Sequence, residues 1–189
     1  AHRSGGADDC DMLGCAHEVC LLSSWGRAFY GLESHMQPSR PRIEVSIGTQ
    51  QLSLWDDHQL IRKWPVSTSK FGIGFVEGSN KTPLGGFAVQ EKHGAGAPLN
   101  TIFKARQPSG VWSPDVPTTD DLVLTRILRL KGLEPRNENT FERYIYIHGT
   151  NDERLIGRPG SHGCVRMRNT DVVELFDLVP EGTPVWIEE

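Results

Sequence analysis

The stretch RYIYIHGTN, residues 143–151, alternates apolar and polar side chains, and GSHGCVRM, residues 160–167, follows it after a short spacer. Period-two alternation is the pattern of a strand with one buried face. Ile145 and Ile147 then face a core while Tyr144, Tyr146 and His148 point the other way, and His148 emerges just before the turn at Gly149. In the second stretch Val165 and Met167 alternate with Arg166 and Arg168, so Cys164 and Arg166 share a face. If the two strand ends adjoin, His148 and Cys164 meet across a sheet. A thiol attacks as its thiolate, and a neighbouring imidazole commonly produces that state, so the pattern predicts a thiolate-favouring environment for Cys164. Successive N–H groups in the tight turn His162–Gly163–Cys164 offer a cradle for the oxygen of a tetrahedral intermediate. Glycine at 163 permits the backbone angles that such a turn needs.

Outward from this pair, the chain reads as mostly β. Between Ile43 and Val66, apolar residues at 43, 45 and 47, at 52 and 54, and at 60, 61, 64 and 66 form period-two runs broken by GTQQ and DDHQ. That is a meander of short strands. KTPLGGFAVQEK adds a turn and a strand at Phe87–Glu91, and further strands are predicted at Leu122–Leu130 and Pro184–Ile187. Residues 94–121, rich in Gly, Pro, Ser and Asp, read as a long irregular loop of the kind that carries function. One helix is well specified: in RNTDVVELFDLVPEG, Val172, Leu175, Phe176 and Val179 make one apolar stripe, with Asn169 or Thr170 as its cap and Pro180 and Gly182 as its stop. The fold class expected is a β-sandwich or barrel-like sheet assembly with one helix near the C-terminus.

Bulk numbers narrow the function. The 189 residues suffice for one domain with an appendage, and 20 Lys+Arg against 24 Asp+Glu give a net charge of -4, which argues against a nucleic-acid binder. No apolar run approaches the length of a membrane span. Cys10, Cys15 and Cys20 cluster in the first twenty residues at a spacing that fits no common zinc pattern. SHM at 34–36 looks like a cloning scar, so residues 1–36 are taken as a vector-derived or disordered leader and residues 37–189 as the catalytic domain. The apolar patch Val19–Leu22 is too short for a signal peptide.

The string IHGT, a spacer, then SHGCVRM resembles the signature of the L,D-transpeptidase catalytic domain (YkuD-type) family: a histidine, a variable spacer, then Ser/Thr-His-Gly-Cys. A second marker, STSKFGIGFVEGSNKTPLGGF at 67–87, resembles the family's TP-x-G-x-F turn, and the resemblance spans about Arg42 to Ile187. It implies an L,D-transpeptidase-type fold and an acyltransferase with Cys164 as nucleophile and His148 as base, oriented by the Gly149 carbonyl. His162 and Gly163 would complete the catalytic turn. Ser161, which with His162 would also shape the turn, is placed at the substrate with Thr150, Asn151 and Arg166, and Arg166 would sit beside the thiolate or bind a substrate carboxylate; Arg143 and Arg154 are as readily solvated surface charges. The implied partners are peptidoglycan stem peptides, attacked before a terminal D-alanine, which leaves; an amine from a second stem then gives a 3→3 cross-link. No cofactor and no metal are implied, and the implied location is the bacterial periplasm or cell wall. Three rivals are an L,D-carboxypeptidase or cross-link hydrolase on the same scaffold, a metal-binding module using His148, His162 and Cys164, and a non-catalytic wall-binding module.

Overall fold

The structure, a computed structural model, describes Arg40–Glu189. The expectations for residues 1–36, the three clustered cysteines among them, lie outside the described residues. Ten strands form one mixed sheet. The first three are the expected meander: β1 (Pro41–Ser46), β2 (Gln51–Asp56) and β3 (Gln59–Pro65), all antiparallel neighbours. Asp57 takes a φ of 49° in the two-residue connection between β2 and β3, a left-handed conformation that aspartate tolerates better than most residues. In β1, Ile43 and Val45 are fully buried while Arg42 and Glu44 pair with each other on the other face at 3.0 Å.

β4 (Gly85–His93) and β7 (Leu124–Gly132) form the middle of the sheet, and the last strand, β10 (Pro184–Glu188), lies between β4 and β1, parallel to β1. The segment read as one irregular loop contains a hairpin, β5 (Thr101–Lys104) and β6 (Gln107–Val111). Pattern reading missed it because β6, QPSGV, is exposed throughout and so carries no alternation. The parts of the segment on either side are irregular, as expected.

β8 (Tyr146–Gly149) pairs antiparallel with β7 and parallel with β9 (Val165–Met167). α1 (Asn169–Leu178) follows at once and buries Val172, Leu175 and Phe176. Two short 3₁₀ turns, Pro135–Thr140 and Glu153–Leu155, were not anticipated. Neither Asn169 nor Thr170 caps α1. The cap position is Arg168, and the first free N–H, that of Asn169, donates to Glu153 Oε1 at 2.7 Å. A carboxylate from a distant turn satisfies the helix start, which no local signal could announce.

The larger of two apolar clusters takes Ile43, Val45, Leu52 and Leu54 from β1 and β2, Leu128 and Leu130 from β7, Ile147, Val165 and Met167 from β8 and β9, and the inner face of α1. Alternation fixes the consequence: with Ile147 and Val165 inward, Tyr146, His148, Cys164 and Arg166 lie on the opposite face. Tyr146 packs there with Phe103 and Ile127 in a second cluster, and Cys164 rests against it.

Candidate active site

β8 and β9 run parallel with Ile147 opposite Val165 and His148 opposite Arg166. One step earlier in the same register, Tyr146 lies level with Cys164. The main chain of β8 holds the sulfur: the Tyr146 N–H donates to Sγ at 3.3 Å, and the thiol donates to the Tyr144 carbonyl at 3.4 Å. Cys164 is half-buried. His148, one residue pair along on the same face, is buried, and its Nδ1 lies 2.7 Å from the Gly149 carbonyl. A carbonyl can only accept, so Nδ1 bears the proton and Nε2 keeps a lone pair.

Burial dominates the charge states of both groups. It pushes the Cys164 thiol up to about 11; the Tyr146 N–H lowers it and Asp121 raises it further, while Arg166 and Arg143 lower it, without reversing the shift. Burial also takes His148 down to about 4, partly opposed by its bond to Gly149. The resting pair is therefore neutral thiol and neutral imidazole, which corrects the expectation of a preformed thiolate. Sulfur remains only partly exposed yet is closely surrounded by protein, and a charge there would lose most of its water.

The turn before Cys164 is braced from three sides. The Ser161 hydroxyl donates to the Cys164 carbonyl at 2.6 Å and accepts the Gly163 N–H at 3.2 Å. Gly163 has φ of 123°, a conformation open to glycine, and a Cβ there would press on Ile145 Cδ1 at 3.3 Å. The Thr82 hydroxyl donates to the Gly163 carbonyl at 3.0 Å. Thr68 O accepts both the Gly160 and Ser161 N–H groups, at 2.8 and 2.9 Å, and the backbone groups of Ser67 and Arg166 exchange two bonds of 2.9 Å each. Of the donors expected to cradle an oxyanion, Gly163 N–H is thus already engaged; no acceptor for the Cys164 N–H is found among the described residues.

Beside the turn opens a cleft of about 1070 Å³ whose walls include Trp112, Asp121, Asn151, His162 and Arg166. Asp121 is its hub. Its Oδ2 accepts from His162 Nδ1 at 2.9 Å and forms an ion pair with Arg166. Burial opposes the Asp121 charge, but Arg166 and His162 outweigh it and hold the carboxyl below its ordinary range.

A sequence profile of the L,D-transpeptidase catalytic domain matches residues 40–187, almost the whole described chain. The chain belongs to the L,D-transpeptidase catalytic domain family. It is 31% identical over 171 residues to the putative L,D-transpeptidase YqjB of Bacillus subtilis, covering 90% of this chain and 84% of that one. To the putative L,D-transpeptidase YkuD of the same organism it is 29% identical, covering 77% of this chain and 64% of the relative. Among solved structures it is similar to an L,D-transpeptidase from Mycobacterium smegmatis, with a TM-score of 0.53 at 18% identity over 80% of this chain and 59% of that one. A Xylanimonas cellulosilytica L,D-transpeptidase gives 0.52 at 21% identity over 81% of this chain and 62% of the other. The chain thus spans under two thirds of YkuD and of both structural neighbours.

Within this L,D-transpeptidase domain the residues anticipated at the substrate all have partners inside the protein. Ser161 and Thr150 are fully buried, Ser161 in the turn and Thr150 accepting the Asp152 N–H at 3.1 Å, so neither presents a surface to a ligand. Arg166, 3% exposed, lines the cleft but is paired with Asp121, so its charge is already matched within the protein. Asn151 lines the cleft, but its side chain accepts the Leu122 N–H and donates to the Asp120 carbonyl, 3.0 Å each, clasping the loop on both sides of Asp121. It therefore positions the hub. Gly149 also has a steric reason: a Cβ would collide with Asn169 Oδ1 and sit 2.8 Å from Leu124 O. Lys81–Pro83, read as a plain structural turn, supplies the Thr82 brace. Asp121 was missed because it closes a segment without periodicity, and its pairing with residues 41 and 45 positions away leaves no local trace. Among the described residues, no helix is long and apolar enough to cross a membrane, and no group of three His, Cys, Asp or Glu could hold a metal ion.

Proposed function

We propose that this chain is a cysteine-dependent L,D-transpeptidase of peptidoglycan stem peptides, acting in the bacterial periplasm or cell wall. The observation that carries the reading is the parallel β8–β9 pairing. It puts a half-buried thiol and a tautomer-fixed imidazole on one face of two neighbouring strands, two residues apart in register. Because both groups rest neutral, attack and proton transfer are concerted. His148 Nε2 takes the thiol proton as sulfur bonds to the carbonyl carbon between the third residue and the terminal D-alanine. The Cys164 N–H, adjacent to the new bond, donates to the oxyanion. The imidazolium then protonates the departing nitrogen, the C–N bond breaks, D-alanine leaves and a thioester remains. An acceptor amine attacks that thioester, loses its proton to His148, and the thiol is restored as the amide forms.

Gly149 holds the imidazole, Ser161 and Thr82 hold the turn, and Asp121 fixes His162 and Arg166 beside it. The M. tuberculosis relative L,D-transpeptidase 3 has been solved in complex with a faropenem-derived adduct. A strained cyclic amide offers the same thiol an acyl carbon, so carbapenem-type β-lactams should acylate Cys164. The deciding assay incubates the protein with purified tetrapeptide muropeptides and resolves products by mass. Cross-linked dimers with loss of D-alanine are expected; tripeptide monomers alone would make it a carboxypeptidase, and unchanged substrate would overturn the reading.

A further inference from the structure

Arg143 directly precedes Tyr144, whose carbonyl accepts the Cys164 thiol. Its guanidinium is fixed by two main-chain carbonyls, donating to Gly74 O at 3.2 Å and Lys81 O at 2.7 Å. That second carbonyl lies 3.5 Å from where a Cβ on Gly163 would sit, so the cation is anchored against the turn that carries the sulfur. No carboxylate lies within ion-pair distance of it among the described residues. Partly buried guanidinium groups are ordinarily paired, and burial here lowers the affinity of Arg143 for its proton. Two carbonyls occupy two of its five N–H donors, which leaves donors for a planar anion.

The other cations near the site are differently disposed. Arg166 is paired with Asp121, and Arg129 with Glu91 and the Phe141 carbonyl. Arg106 stands at a hairpin tip, 5.5 Å from the Tyr144 ring.

We propose that Arg143 is the receptor for the terminal carboxylate of the donor peptide, and so confines attack to the last peptide bond. The inference rests on Cys164 being the acylated residue. In such a donor three bonds separate the scissile carbonyl carbon from the carboxylate carbon of the departing residue. That carboxylate therefore lies within about one residue's length, ~3.5 Å of chain, of the reacting carbon, and the cation that reads it stands one hydrogen bond, about 3 Å, further out. Arg143 is a cation without an ion pair whose guanidinium is itself anchored at that turn, and a peptide continued beyond the departing residue, or ending in an amide, forfeits the contact.

Two paired comparisons test this. Cys164 is alkylated with iodoacetate and with its neutral counterpart iodoacetamide, and the ratio of rates is read by intact mass. Arg143→Gln should lower that ratio about tenfold, Arg143→Lys should restore part of it, and Arg106→Gln should leave it unchanged. An unchanged ratio in Arg143→Gln, or a fall confined to Arg106→Gln, overturns the proposal. In the unmodified protein a donor tetrapeptide should be used at least tenfold more efficiently than its C-terminal carboxamide, through KM; equal use overturns the proposal whatever the variants do. If neither peptide reacts, the proposed activity falls, while the alkylation ratio still decides what Arg143 does.

Discussion

Cys164 and His148 are set by burial to be uncharged at rest, and that governs how the site responds to pH. The base must be unprotonated to accept the thiol proton, and His148 remains so until pH falls to about 4. Carbapenem acylation should therefore hold a plateau through neutral pH and lose its rate near pH 4, well below the ordinary imidazole range; stopped-flow acylation across pH 3.5–9 checks this. An acid limb near 6.5 would mean that His148 is solvated or that another histidine serves. His148→Ala should slow acylation roughly 10²–10⁴-fold with the fold retained by circular dichroism. An unchanged rate would transfer the base role to His162, whose Nδ1 is held by Asp121. The Asp121 carboxylate raises the thiol, and Arg166 and Arg143 lower it. Asp121→Asn removes a charge that raises the thiol and releases Arg166, so the pH dependence of iodoacetamide alkylation should move to lower pH. A move upward would contradict the assigned balance.

Among elements, the β8–β9 pair and the turn that enters β9 behave as one unit braced by the segments 67–70 and 81–82. Thr82→Val keeps the shape and removes the donor to the Gly163 carbonyl, leaving a buried acceptor unsatisfied. The expected cost is about 1–3 kcal/mol by chemical denaturation, with slower acylation because the turn loosens. Much of this level was legible in the sequence. Alternation in residues 143–151 and 164–167 assigned the correct face to Tyr146, Ile147, His148 and Arg166, because a pleated strand allows no other arrangement, and Ile145 and Cys164 continue the pattern just outside the strands. The apolar stripe of α1 was legible for the same reason. What stayed hidden depends on contacts between distant residues. Glu153 caps the helix, Asp121 takes up Arg166, and Ser161 and Thr150 turn inward to satisfy backbone groups. A polar residue near a motif reads as a ligand-binding one until its partner is known.

At the scale of the whole molecule, the two buried groups make stability depend on pH in both directions. His148 titrates at about 4 in the fold and near 6.5 in the unfolded chain, which therefore binds the proton first. Stability should be complete above about pH 6.5 and fall by up to about 3 kcal/mol as pH drops toward 4. Above about pH 9 the unfolded thiol ionises while the folded one resists until about 11, so stability should decline again. Urea midpoints measured from pH 4 to 10 check both limbs, and His148→Ala should flatten the acid one.

The central claim is that the Cys164 sulfur becomes acylated with loss of the donor's last residue. Intact-mass spectrometry of the protein quenched during turnover of a stem tetrapeptide tests it most directly. The account predicts an adduct of the tripeptide acyl group on the unmodified protein and none on Cys164→Ala. No adduct on the former, or the same adduct on both, would contradict it.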